Sequence, residues 1–250
     1  MIAKTLFSSL FLAIIALTAT TPSAQEIRIA VASNFAKPMT ALVKQFEANS
    51  LYKVTLSFSS TGKHYAQIVN GAPFDLFFAA DIDRPKRLEQ EGVALLGTRF
   101  TYAIGKLVLW SPKAKFVDSN ATILTQNSFR YLAIANPRLA PYGKAAKELL
   151  TAKDLWKKFT GRIVRGENIN QTFQFVRSGN AELGFVAYSQ IKQGDNDLGG
   201  SFWKVPQTLY TPIEQQAVLL TDNAAAHAFS AFVRSTAGLK TIHRYGYDTP

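Results

Sequence analysis

Ser59-Ser60-Thr61-Gly62 places three hydroxyls and a glycine where an apolar extended run ends and a helical pattern begins. Such a junction can hold an anion. The first N–H groups of a helix have no internal carbonyl to bond, the helix dipole is positive there, and hydroxyls add directed donors. Gly62 lets the backbone come close to a ligand. Three other junctions share this layout: Ser33-Asn34, the loop Asn136 to Gly143 with Tyr142 at its end, and Gly166-Glu167-Asn168-Ile169-Asn170. Each has an ordinary structural reading: an N-cap for Ser33 and Asn34, a proline-stiffened loop before Tyr142, a hydrophobic staple for Ile169. An apolar Ile169 at a helix start has only its backbone N–H to offer. Four helix starts aimed at one cleft would present donors alone, and donors alone select a small, fully deprotonated oxyanion. Gly62-Lys63 is not a P-loop, because Ser57 stands where that motif needs a glycine and His64 where it needs Ser or Thr.

The elements that must position these junctions alternate between strand and helix. Ile27 to Ala32 reads as a buried strand, followed by a helix with apolar residues at Phe35, Met39, Leu42, Val43 and Phe46. Strands are expected over Lys53–Phe58 and Asp75–Ala79, with helices over Lys63–Asn70 and, capped by Asp83, Arg84–Gln90. The second half repeats the pattern. Strands are expected at Tyr131–Ala135, Arg162–Arg165 and Leu183–Tyr188, and helices at Lys144–Leu150 and Asn170–Arg177. Asp222 is expected to cap a helix over Asn223–Thr236, with Gly238 after it and a last turn or two over Leu239–Tyr245. The alternation predicts an α/β fold. Two long extended runs, Phe100–Trp110 and Ile213–Leu220, bracket the second set, so the chain crosses out once and back once. That gives two α/β lobes joined by two extended hinge crossings: residues 25–101 plus 217–250, and residues 102–216. Ligands of open α/β sheets sit beyond the carboxyl ends of the strands, here the cleft between the lobes.

Residues 1–24 read as a secretory signal peptide. Lys4 is its one charge, Leu6 to Ala19 is almost wholly apolar, and small residues lead to a cut near Ala24. The apolar run is shorter than the ~20 residues a spanning helix needs. The remaining chain of about 225 residues suits one large domain or two small ones. With no cysteine in the sequence, disulfides, thiolate catalysis and a lipid anchor are excluded. The formal charge of +11, lowered by one with Lys4, permits an anionic partner. No dense basic run or nucleic-acid motif accompanies it, so nucleic acid is not expected. A field that draws small anions inward and a merely solvated basic surface fit that charge equally well.

Catalysis finds little support. No Gly-x-Ser-x-Gly elbow occurs, and His64, His227 and His243 stand apart from any carboxylate cluster with metal-ligand spacing. Hydroxyls and N–H groups suit sulfate, chromate, molybdate or tungstate better than an amino acid or a sugar. An exported enzyme is the remote alternative.

The chain resembles the periplasmic molybdate-binding proteins of ABC importers, which are class II periplasmic binding proteins. The resemblance runs over essentially the whole mature chain and is most specific at Tyr65–Asp81, Arg99–Ser111, Ile134–Pro137 with Ala140–Gly143, and Leu183–Ala187. It implies a two-lobed periplasmic binding protein fold, no catalytic residue and no cofactor. It also implies a monomer in the periplasm that carries molybdate, or tungstate, to a membrane permease, with the metal held only as its oxyanion. Carried over by position, Ser33 and Asn34 are the first donors, and Thr61 fills the place of the family's serine with Ser60 beside it. Tyr142 and Ile169 supply backbone N–H groups. Some members add a tyrosine where this chain has Ala187; strand side chains alternate faces, so Tyr188, one residue on, is not taken to replace it and is left out of the set.

Overall fold

The computed structural model describes residues 26–126 and 128–250. The expected export segment and its cut near Ala24 lie outside the described residues. The first part of the chain runs β1 (Glu26–Ala32), a 3-10 turn (Ser33–Phe35), α1 (Ala36–Ala48), β2 (Lys53–Ser59), α2 (Thr61–Val69), β3 (Leu76–Phe78), α3 (Asp83–Gln90) and β4 (Phe100–Gly105). The second part runs β5 (Leu107–Ser111), α4 (Ile123–Gln126), β6 (Leu132–Ala135), α5 (Pro141–Ala152), α6 (Trp156–Phe159), β7 (Ile163–Gly166) and α7 (Ile169–Arg177). It continues with β8 (Leu183–Ala187), α8 (Tyr188–Ile191), the hairpin β9 (Lys192–Gln193) and β10 (Asn196–Asp197), and β11 (Ser201–Lys204). The chain then returns through β12 (Ile213–Leu219) to α9 (Ala224–Arg234) and α10 (Thr236–Arg244).

Two five-stranded sheets result, in the orders β2-β1-β3-β12-β4 and β11-β5-β8-β6-β7. Each defines a lobe with its own core. Met39, Leu42, Val43 and Phe46 recur at helical spacing on α1 and pack with Phe78, Tyr102 and Phe229 in the first. Leu109, Ile134, Leu149, Phe159 and Phe185 fill the second. Ala32 and Ala80, from the first lobe, are packed into that second core, so the lobes are closed on one another. Among the described residues no helix is long and apolar enough to cross a membrane.

The crossings between sheets fall a few residues away from the expected boundaries. All of β4 pairs with β12 in the first sheet, while β5 pairs with β8 and β11 in the second. The chain therefore passes out at Lys106 and is back in the first sheet by Ile213, and residues 102–105 and 213–216 belong to the first lobe. A single apolar run such as Phe100–Trp110 carries no mark of which half pairs with which sheet.

Several local expectations are corrected. Asp83 is the first residue of α3, not its cap; the carboxylate that accepts the Arg84 N–H is Asp81, at 3.1 Å. Asn223, not Asp222, caps α9, accepting from the Ala225 N–H at 2.9 Å, and Asp222 pairs with His227. The expected single helix over Asn223–Thr236 ends at Arg234. Ser235 breaks it with extended backbone and caps α10 through the Gly238 N–H. Gly238 thus lies inside a first turn and does not follow a helix. Helices α2, α5 and α7 each begin earlier than expected, at Thr61, Pro141 and Ile169, which moves the helix starts onto the candidate site residues.

Candidate functional site

Parallel pairing delivers the four junctions to one place. In the first lobe β1 pairs in parallel with β2 and β3, with Ala32 opposite Ser59 and Val31 opposite Phe78. The carboxyl ends of these strands release Ser33, Ser60 and Ala80 side by side. In the second lobe β6 pairs in parallel with β7, with Ala135 opposite Gly166, and with β8, releasing the loop to Tyr142 beside the start of α7. A small cavity between the lobes is lined by Ser33, Asn34, Ser60, Thr61, Tyr142 and Ile169, with Ser59, Pro141 and alanines filling the rest. Its free volume is about 10 Å³, against the ~300–1,000 Å³ of pockets that take drug-sized ligands, so this is the scale of one small ion. Its lining contains no charged side chain.

The six candidate residues are all buried, and their bonds decide what each can offer. Thr61 Oγ1 accepts the Ala80 N–H at 3.0 Å. Ser60 caps α2, its Oγ 3.4 Å from the Lys63 N–H. Both hydroxyls act as acceptors in these bonds, which leaves their protons to be donated. Ser33 Oγ reaches across the cleft to Asn168 Oδ1 at 3.2 Å, and Asn168 also caps α7 by accepting the Gln171 N–H at 3.0 Å. Tyr142 and Ile169 lie in the first turns of α5 and α7, where the N–H groups have no intrahelical acceptor. The Asn34 side chain turns away from the cavity. Its Nδ2 donates to Gln215 Oε1 at 2.7 Å and to Tyr247 Oη at 3.0 Å. Tyr188 lies outside the lining, its ring against Phe202 and under the Lys204 ammonium.

Glycine allows two of the close approaches. The Gly62 N–H donates to Leu139 O across the cleft at 2.8 Å, and a Cβ there would stand 3.1 Å from the Leu139 backbone. At Gly143 a Cβ would fall 2.2 Å from Ala135 O, so α5 can start on top of β6 only with glycine one residue after Tyr142. Further links hold the lobes together. Arg84 donates to Arg138 O at 3.1 Å, Ser189 Oγ donates to Asn34 O at 3.1 Å, and Arg244 pairs with Asp195.

Beneath the cavity lies a buried hub that the motifs did not reveal. Gln215 Oε1 also accepts from Tyr102 Oη at 3.0 Å, and Gln215 Nε2 donates to Tyr142 Oη at 3.3 Å. Tyr247 Oη donates to Asn34 O at 2.9 Å and lies 2.8 Å from Ser189 Oγ. The sign in the sequence was the polar stretch Glu214-Gln215-Gln216 inside the extended run Ile213–Leu220. Burial holds the Tyr102 and Tyr142 hydroxyls well above the usual tyrosine range. It pushes Tyr247 up to about 12, against hydrogen bonds from Ser189 and Asn34 that pull it down. A raised folded value makes the neutral tyrosine stabilising below the unfolded pKa of about 10, and that stability is lost as pH rises through the folded value. The melting temperature should therefore hold up to about pH 10 and fall from there towards about 12, in step with tyrosinate absorbance. A fall complete before the tyrosinate band appears would contradict this.

The histidines are dispersed. His64, on the inner face of α2, is fully buried against Phe74 and Phe77, His227 pairs with Asp222, and His243 bonds Tyr247 O. Among the described residues no group of His, Cys, Asp and Glu has the arrangement to hold a metal ion.

Comparison with known proteins agrees along the whole described chain. The molybdate-binding protein ModA of Azotobacter vinelandii is 47% identical over 234 residues, covering 92% of this chain and 93% of that one. ModA of Rhodobacter capsulatus is 42% identical over 230 residues, covering 91% and 90%. The solved structure of the Azotobacter vinelandii periplasmic molybdate-binding protein superposes with a TM-score of 0.87 at 41% identity, covering 90% of this chain and 99% of that one. The sequence profile of the bacterial extracellular solute-binding proteins matches residues 27–248; with two-lobed architecture and relatives of this similarity, the chain belongs to that family.

Proposed function

We propose that this protein captures molybdate, and tungstate with it, in the interlobe cavity and delivers it to the membrane permease of an ABC importer. The observation that carries the reading is the cavity itself: buried donors from four helix starts, with no charged side chain in the lining. A dianion there is stabilised by helix N-termini and charge-assisted hydrogen bonds, and a protonated ligand would bring a donor with no acceptor to meet it. Thr61 and Ser60 donate through their hydroxyl protons, Tyr142 and Ile169 through backbone N–H groups. Asn34 contributes through its backbone, since its side chain is held in the hub. Ser33 donates by turning its hydroxyl from Asn168 to the ion. Relatives named for molybdate binding support the choice of oxyanion. The protein acts as an exported monomer in the periplasm, its leader removed near Ala24, and it catalyses nothing.

Titration calorimetry of the mature protein against molybdate, tungstate, sulfate and phosphate tests this. Heat is expected with molybdate and tungstate, and far weaker binding with sulfate, whose shorter bonds leave the donors too far away. Absence of heat and of any thermal shift with both metal oxyanions would overturn the reading. Tight sulfate binding alone would transfer it to another tetrahedral oxyanion.

A further inference from the structure

Two surface recesses flank the cavity, each sharing lining residues with it, and they differ in charge. The wider one touches the cavity at Ala80, Ala140 and Pro141 and carries both signs, with Asp81, Asp83 and Glu148 among Arg84, Arg138 and Lys144. The other is made of two adjoining hollows that share Ala36 and Lys37; its inner part reaches Ser33 and Asn34 of the cavity wall. Lys37 and Lys44 wall it from the first lobe and Arg177 from the second, and no carboxylate lines either hollow.

These three cations have no structural employment. All are exposed, and none forms an ion pair among the described residues. Lys37 and Lys44 lie two turns apart on one face of α1. The acids of the neighbouring β9–β10 hairpin are already taken, Asp195 by Arg244 and Asp197 by Lys192. Closure also sets Lys37 and Arg177 around one hollow from opposite lobes. Burial first, and the Arg177 charge second, lower the Lys37 pKa. The pair thus pulls on an approaching anion while opposing closure of the lobes, so its benefit falls on arrival more than on retention.

We propose that Lys37, Lys44 and Arg177 form an entry field for the dianion, speeding its arrival at the cavity without touching it once seated. This rests on the cavity taking a small oxyanion, and it assigns direction to a basic charge that composition left open. Charge lining one mouth of a low-dielectric cleft raises the local concentration of counter-ions and the association rate, in a manner screened by salt.

Stopped-flow association of molybdate with the mature protein tests it. In Lys37→Gln/Lys44→Gln/Arg177→Gln the association rate constant should fall about tenfold at low salt, and the gap to wild type should close at roughly 0.5 M salt. Lys37→Arg combined with Arg177→Lys keeps the charges and should keep the wild-type rate. Lys115→Gln/Lys157→Gln/Lys158→Gln removes the same charge from exposed sites that line neither recess and should leave the rate nearly unchanged. An unchanged rate in the first triple variant, an equal fall in the second, or a loss carried wholly by faster dissociation would overturn the entry field. Failure of the wild-type protein to bind molybdate at all would instead count against the proposed function.

Discussion

Thr61→Ala is expected to weaken molybdate binding by on the order of 1.5–3 kcal/mol, roughly 10- to 150-fold, because a hydrogen bond to a charged partner is lost in a buried site. The geometry makes Thr61 the most exposed to such a test. Its oxygen is satisfied by the Ala80 N–H, so the hydroxyl proton has the ligand as its natural acceptor. The same bond gives the substitution a second effect. Alanine leaves the buried Ala80 N–H without an acceptor, which costs about 1–3 kcal/mol of stability. For a chain of this size each kcal/mol moves the melting temperature by about 2–4 °C. Thr61→Ser keeps the oxygen in place and should bind nearly as wild type, which separates the hydroxyl from the methyl group. Thr61→Val keeps the shape and loses the oxygen, and should behave as alanine does. Calorimetry gives the affinities, and thermal melts without ligand give the stability. Affinity equal to wild type in Thr61→Ala would remove Thr61 from the site.

What the sequence exposed and what it hid follow from how local each cause is. Strands β1, β2 and β8, the face of α1 and the positions of the four polar turns rest on short-range periodicity and turn chemistry, and these were legible. Helix starts were read two or three residues late at α2 and α5, since Thr61-Gly62 and Pro141-Tyr142 look like turn residues until the parallel strands fix where the chain must bend. The sheet membership of Phe100–Gly105 and Leu107–Ser111 depends on pairing with β12 and β8, distant in sequence, and no local signal carries it. The same holds for the hub. Asn34, Tyr102, Tyr142, Ser189, Gln215 and Tyr247 come from six separate places, and only the polar Gln215 within a buried strand hinted at them. Asn34 shows the consequence at the site: its type and position invited a side-chain donor, whereas its amide is consumed by Gln215 and Tyr247.

Gln215→Leu tests whether that hub sets the geometry of the cavity above it. Gln215 is wholly buried, at an irregularity in the β12 pairing, and its amide serves Asn34 and Tyr102 of the first lobe and Tyr142 of the second. Leucine matches its bulk and supplies no partner. Asn34 keeps Tyr247, and Tyr102 keeps Ala79 O, so only part of the network is orphaned. A loss on the order of 2–4 kcal/mol follows, a fall in melting temperature of roughly 5–15 °C. Binding should weaken as well, about tenfold, because Asn34 and Tyr142 lose the bond that ties the two walls of the cavity to the hinge strand. Gln215→Glu separates this positioning role from bulk stability. A protonated glutamic acid can still accept from Asn34 and Tyr102, whereas a carboxylate would face the bound dianion at short range through a low-dielectric interior. Burial and the dianion both raise its pKa, so molybdate affinity in Gln215→Glu should fall as pH rises through that value, while the wild-type affinity stays flat where tyrosines and ligand keep their protonation states. Dissociation constants measured across neutral pH for the three proteins decide the matter. If Gln215→Leu is destabilised and binds as wild type, and Gln215→Glu shows no pH dependence, the hub is scaffold alone and the cavity is set by the strand ends without it.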